Sequence, residues 1–222
     1  MFLTRFNLNP RSRSGARYLT NPQRLHAVIY GAMPTQPVVA TSEGRPLWRV
    51  DRDDAAAPVL WVVSPERPSL DALAEEAGRS VDGLVYQTRP YDVLLDRLAE
   101  GQVYAFKLAA NASRSGRASP ESARTQRFGH VTAAQQLEWL VARAPRHGFS
   151  FPPTVGGEPD VVVVGASRSS FRRDQGRVTV RVSEFAGRLR VTDPVALRRA
   201  LTQGIGHARA YGCGLLTLAR SR

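Results

Sequence analysis

Residues 193–219 read DPVALRRALTQGIGHARAYGCGLLTLA, and this stretch sets the architecture. Asp193 is a helix cap and Pro194 a first-turn residue, ahead of an apolar stripe through Val195, Leu197, Leu201 and Ile205. Two G-x-G pairs follow, Gly204/Gly206 and Gly212/Gly214, bracketing His207 and Arg209, and the apolar run Leu215 to Ala219 then reads as a closing strand. Glycines so placed let a backbone approach a bulky anion, so the segment reads as a phosphate-handling loop. A dinucleotide fold would instead put its glycines straight after the first strand, with about 20 further residues to an acidic ribose ligand. Helix, glycine loop and last strand is not that order.

Working outward, the same order of elements occurs twice. In the first half Phe2 to Leu8 reads as a strand. A basic loop with Arg11, Arg13 and Arg17 comes next, then a helix capped by Asn21 with Pro22 at its first position and Leu25, Val28, Ile29 and Ala32 along one face. Strands are expected at Leu47 to Asp51 and Pro58 to Ser64, a helix at Ser69 to Ala77, and an extended run at Val81 to Tyr86. The second half opens with a strand from Gln102 to Ala110 and continues through Ser113 to Arg127, too poor in apolar residues to pack. Thr132 and Gln135 form a capping box for a helix striped by Leu137, Leu140, Val141 and Ala144. Strands at Val161 to Val164 and Val178 to Val182 precede the stretch quoted above. Each half is thus βαββαβ. The expected class is α+β, two tandem ferredoxin-like domains at residues 1–96 and 101–222, with the topology shared by RNA-recognition motifs.

Composition points to a polyanion. The 222 residues hold 31 Lys plus Arg against 19 Asp plus Glu, a formal net charge of +12, with a pI near 11.1. Lys107 is the only lysine, so the other 30 basic residues are arginine, the side chain that binds phosphate bidentately and stacks on bases. GC-rich coding would explain arginine in place of lysine but not the excess of charge. A single cysteine, Cys213, excludes an internal disulfide framework and a cysteine-based zinc cage. No stretch reads as membrane-spanning, and Met1 to Arg5 does not begin a long apolar leader, so the expected compartment is the cytoplasm.

Five motifs together carry a family resemblance: Asn9-Pro10 leading to Asn21-Pro22 and His26; Phe106 to Asn111; Ala133 to Val141 with its Leu-Glu-Trp-Leu core; Phe185 to Pro194; and Gln203 to Leu218. In these, over essentially its whole length, the chain resembles the CasE family of CRISPR RNA-processing endoribonucleases. The resemblance implies tandem ferredoxin-like domains that grip a CRISPR repeat hairpin and cut at its base without metal or other cofactor. It also implies that the product is kept within the Cascade surveillance complex, whose other subunits would be partners. His26 matches the family's catalytic histidine. Where several relatives place a tyrosine three positions earlier, this chain has Gln23, so a tyrosine partner must come from Tyr30 or Tyr18 or be absent. The family inserts a basic hairpin into the RNA major groove, a role that falls here on Arg168, Arg172, Arg173 and Arg177.

The residues agree with that chemistry. Cleavage by the substrate's own 2'-hydroxyl needs a base, a charge stabiliser and an acid, and histidine titrates in the right range for the first or last. Helical spacing puts His26 at the edge of an apolar stripe with Gln23 and Tyr30 on the same flank, and the expected catalytic pair is His26 and Tyr30. The expected RNA contacts are Arg13, Arg17, the four hairpin arginines, Gly204, Gly206, His207, Arg209, Gly212 and Gly214. His130 and His147 read as surface residues, and Trp48, Trp61 and Trp139 as core. A non-catalytic RNA-hairpin-binding subunit of the same fold is the second reading, and a nucleotide-dependent enzyme the third.

Overall fold

The computed structural model describes residues 1–36, 38–117, 125–173 and 176–221. Its first half runs β1 (Phe2–Asn7), α1 (Arg13–Thr20), α2 (Pro22–Gly31), β2 (Leu47–Asp51), β3 (Val59–Ser64), α3 (Asp71–Ala77), β4 (Tyr86–Pro90) and the short α4 (Asp92–Leu95). The second runs β5 (Val103–Ala110), β6 (Ser113–Arg117), β7 (Thr125–Gly129), α5 (Ala133–Val141), β8 (Phe149–Ser150), β9 (Val161–Arg173), β10 (Gly176–Val191), α6 (Pro194–Gln203) and β11 (Leu216–Arg220). The first sheet has the order β2-β3-β1-β4, antiparallel throughout. The second is β11-β5-β10, with β9 and then β8 along the far edge of β10. Both are the ferredoxin-like arrangement, in which the two outer strands enclose the first and third.

Four local expectations change, and the first is strand length: β9 runs on to Arg173 and β10 from Gly176 to Val191, well past the expected Val161 to Val164 and Val178 to Val182, because the two pair with each other beyond the β5 edge. The basic segment after β1 is a helix, not a loop: Ser12 caps it by accepting the Gly15 N–H at 2.9 Å, and a Cβ on Gly15 would fall 1.9 Å from the Asn9 carbonyl oxygen, so only glycine fits. The extended run of the first half begins at Tyr86 rather than ending there, because Asp82 and Gly83 take left-handed conformations, φ 50° and 79°, and turn the chain. The polar stretch after β5 is a two-stranded ribbon of β6 and β7, with the Arg114 guanidinium over the Phe128 ring; its tip, residues 118–124, lies outside the described residues.

The first sheet is buried on both faces. Phe6, Leu8, Trp48, Leu60 and Val62 face Leu25 and Ile29 of α2 and Leu73 of α3. The alternate residues Leu47 and Val63, with Tyr91 and Leu95, join the second half's core around Phe106, Leu108, Trp139, Leu140, Phe185, Leu197, Leu201 and Leu216. A period-2 pattern with both phases apolar is what a sheet covered on both faces requires. A buried charge crosses the seam: Arg49, 4% exposed, forms a two-pronged pair with Asp51 (2.6 and 3.1 Å) and donates to the Lys107 and Leu215 carbonyls and the Thr217 hydroxyl.

Candidate functional site

The Asn21 carboxamide caps α2 by accepting the Gln23 and Arg24 N–H groups, and this fixes the helix start two turns ahead of Tyr30. Helix α2, which carries His26, meets the turn Arg209–Tyr211 of the glycine loop. Half-buried, His26 packs on Tyr30 one helical turn along, ring centroids 4.0 Å apart and planes inclined by 49°. The Trp48 indole N–H donates to its Nδ1 at 3.4 Å. The expected pair is therefore brought together, through ring faces; the Tyr30 hydroxyl donates to the Pro46 carbonyl at 3.3 Å. Tyr18 lines the groove that Trp48 also borders, with its hydroxyl donating to Glu76 at 2.6 Å, and burial with that carboxylate pushes its pKa up to about 12. Gln23, three positions before His26, has a buried Oε1 with no hydrogen-bond partner among the described residues.

Trp48 is 3% exposed, yet its indole also walls a groove between the halves, with Leu25 of α2, Arg52 after β2, Ser167, Arg168 and Ser170 of β9, Glu184 of β10, and Tyr211 and Gly212 of the glycine loop. Sequence reasoning placed Trp48 in the core and missed the groove; only the alternation of β2, which turns Trp48 opposite to Leu47 and Arg49, hints at it. Glu184 is the one half-buried acid there, its pKa raised by burial and then by Asp51 and Asp53. It sits at a register shift in the β9–β10 pairing, between Glu184 and Phe185.

The arginines divide by element. Arg13 and Arg17 are exposed on α1. Arg168 is exposed on β9, paired in register with Arg181, and lines the groove. Arg172, Arg173 and Arg177 lie in the strands of the ribbon, Arg172 opposite Arg177 and Arg173 opposite Gly176; their side chains fall outside the described residues. Beyond Ser183 this ribbon has left the β5 edge and stands as two strands alone. Phe171 and Val180 anchor it on Cys213, Ala208 and Tyr211, the Phe171 and Tyr211 rings meeting at 4.9 Å.

Each loop glycine has a neighbour that leaves little room for a side chain. Gly204 closes α6 at φ 80°. Gly206, φ 82°, and Gly212, φ 81°, would press a Cβ to 3.2 Å from Trp139 and 2.7 Å from Trp48 respectively. Gly214, φ 95°, exchanges backbone bonds with Ala109 and Ile205. His207 is exposed and its backbone bridges to Asn111. Arg209 turns to the other side of the loop, donating to the Gly204 carbonyl at 3.1 Å and lining a separate hollow with Arg146, His147 and Arg199. His147 is half-buried rather than a free surface residue, and burial together with Arg146, Arg143 and Arg209 lowers its pKa to about 4. Among the described residues no helix is long and apolar enough to cross a membrane.

This geometry has known counterparts. The family model for a CRISPR-associated protein matches residues 1–220. CRISPR-associated endoribonuclease Cse3 of Thermus thermophilus is 30% identical over 228 residues, covering 99% of this chain and all of that one. The chain belongs to the CRISPR-associated CasE (Cse3) family. A solved structure of Thermus thermophilus Cse3 bound to an RNA representing a pre-cleavage complex superposes with a TM-score of 0.79 at 28% identity, covering 98% of both chains. A chain of a CRISPR RNA-guided surveillance complex, pre-nicking, 22% identical and covering 100% of both chains, has the same fold with a TM-score of 0.69. As a CasE-family protein the chain keeps the two-domain α+β architecture read from its sequence.

Proposed function

We propose that this protein is an endoribonuclease that binds the hairpin of CRISPR repeat RNA and cuts it into mature guide RNA, with His26 at the reacting centre. The observation that carries the reading is the placement of His26. In a chain 30% identical to an endoribonuclease, the half-buried imidazole packs on Tyr30 and accepts from Trp48, whose indole walls an arginine-lined groove. The reaction we assign is transesterification. The 2'-oxygen attacks the adjacent phosphorus and gives up its proton, the P–O5' bond breaks, and the leaving oxygen takes a proton, giving a 2',3'-cyclic phosphate and a 5'-hydroxyl without a metal ion. The imidazole acts at the scissile phosphate during this exchange, and Tyr30 orients the ring.

In this reading the groove arginine Arg168 and the ribbon's Arg172, Arg173 and Arg177 hold phosphates, and Arg13 and Arg17 on α1 extend the same basic face. The glycine loop, with Gly204, Gly206, His207, Arg209, Gly212 and Gly214, supports the floor of the site. A surface of this charge would retain the cut product, and the protein would join other Cascade subunits in the cytoplasm through it. The division into residues 1–96 and 101–222 belongs to the same proposal, supported by the short joint between α4 and β5.

His26→Ala should lower single-turnover cleavage of a repeat hairpin by about 10²–10⁴-fold, the range for a positioned acid or base. Hairpin affinity should stay within several-fold and the unmodified protein should cut in EDTA. Undiminished cleavage by His26→Ala, or a halt on chelation, would overturn the mechanism. Full binding with no cleavage by the unmodified protein would instead favour the non-catalytic RNA-binding subunit.

A further inference from the structure

Trp48 does two things that a core residue need not do. Its ring fills the space left by Gly212, whose missing side chain would otherwise lie 2.7 Å from the indole Cζ3, and its N–H points at His26 Nδ1, 3.4 Å away. A buried indole N–H seeks an acceptor, and the imidazole nitrogen supplies one. Turning the imidazole over would set a C–H against that N–H, so the hydrogen bond itself fixes the ring orientation. A nitrogen that accepts a hydrogen bond carries no proton, and a neutral imidazole has one proton to place. That proton is therefore on Nε2.

We infer that Trp48 is a positioning residue, which holds His26 as the neutral Nε2–H tautomer so that the imidazole meets the scissile phosphate as a hydrogen donor. The inference rests on His26 being the reacting-centre residue, as proposed above. Taking a proton at Nε2 would first require moving the existing one to Nδ1, against the Trp48 N–H. The imidazolium is opposed for the same reason, since it carries protons on both nitrogens. His26 thus resembles a preset donor more than a poised base, and it stabilises charge where the 5'-oxygen leaves or the phosphorane forms. The glycine loop enters here. Gly212 gives Trp48 its position, Trp48 sets the proton on His26, and a motif that reads as a phosphate cradle becomes the support of a proton's location.

The test has one arm without RNA. In ¹⁵N-labelled protein, the His26 ring nitrogens should show an unprotonated Nδ1 and a protonated Nε2 at pH 7. A protonated Nδ1 overturns the proposal whatever the cleavage data say, and this spectrum can be read even if variants misfold. Trp48→Phe keeps a ring against Gly212 and removes the N–H. It should let the two tautomers mix and raise the titration midpoint of His26. It should also slow cleavage by roughly five- to tenfold, the loss expected for one hydrogen bond worth about 1–1.5 kcal/mol, and move the acid limb of the pH–rate profile upward. A folded Trp48→Phe protein with the parent midpoint and pH profile would overturn the proposal even if its rate fell. Retention of cleavage in His26→Ala would instead defeat the functional reading while leaving the tautomer result standing.

Discussion

The glycine loop, Gly204 to Gly214, and the β9–β10 ribbon both read from sequence as places where RNA is touched, yet they are built in opposite ways. Every loop glycine is pinned: two face tryptophans, one ends a helix, and one bonds across to β5. The ribbon runs past the edge of β5, anchored by Phe171 and Val180 and with Arg168 and Ser170 exposed. A segment held on all sides can fix atoms to a fraction of an ångström, whereas a projecting ribbon can follow a bulky polyanion. The loop should therefore fail through folding and cleavage, and the ribbon through affinity.

The sharpest way to break this contrast is Gly212→Val. A β-branched residue at φ 81°, pressed into Trp48, adds left-handed strain of about 1–2 kcal/mol to an overpacking cost of about 1–3 kcal/mol. At about 2–4 °C per kcal/mol for a chain this size, Tm should fall on the order of 10 °C. Gly206→Val, against Trp139, should follow the same course, with RNA affinity falling only as folded protein is lost. Thermal melts beside binding curves decide it. A fully folded Gly206→Val protein that has lost RNA binding would return the loop to direct phosphate contact.

The ribbon supplies the next largest effect. Reversing the charge of Arg172 and Arg173 together should leave Tm within a few degrees and lower hairpin affinity by about one to two orders of magnitude. If each contact is lost, the log–log salt slope should fall by roughly 0.7–0.9 per contact. The same change at Arg114 and Arg117 of β6 should cost less, and equal losses from both pairs in a filter-binding salt series would reduce the ribbon to general charge.

The smallest effect tests the far side of the loop. His147, held near pKa 4 by burial and by Arg146, Arg143 and Arg209, binds its proton more weakly folded than unfolded. Its contribution to stability is thus complete above about 6.5, the ordinary histidine value, and is lost as pH falls from there toward 4. His147→Gln should flatten the fall of Tm across that window relative to the parent. An unchanged slope would mean the basic hollow leaves His147 untouched.

Both sheets were legible because each central strand carries its own apolar alternation, and the Asn21, Thr132 and Asp193 caps stand where their helices begin. What escaped notice was held by single atoms or by charge. Helix α1 buries only Gly15, so it has no apolar stripe to read. Strands β6 and β7, SRSGR and TQRFG, have one large apolar residue between them, and Arg114 covers it. His26 was found through the resemblance, whereas its bond to Trp48 spans 22 residues and exists only once β2 lies beside α2.

Arg49 has a consequence for how the chain comes off the ribosome. The guanidinium is sealed by carbonyls at Lys107 and Leu215, and Leu47 and Val63 on the same face wait for partners that are synthesised last. An emerging first half thus carries a complete four-stranded sheet with one face still apolar and a cation whose remaining acceptors do not yet exist. Its folding finishes only when β11 has been made and Leu215 and Thr217 can close over Arg49. Until then the nascent sheet keeps an apolar face and a half-paired cation open to solvent.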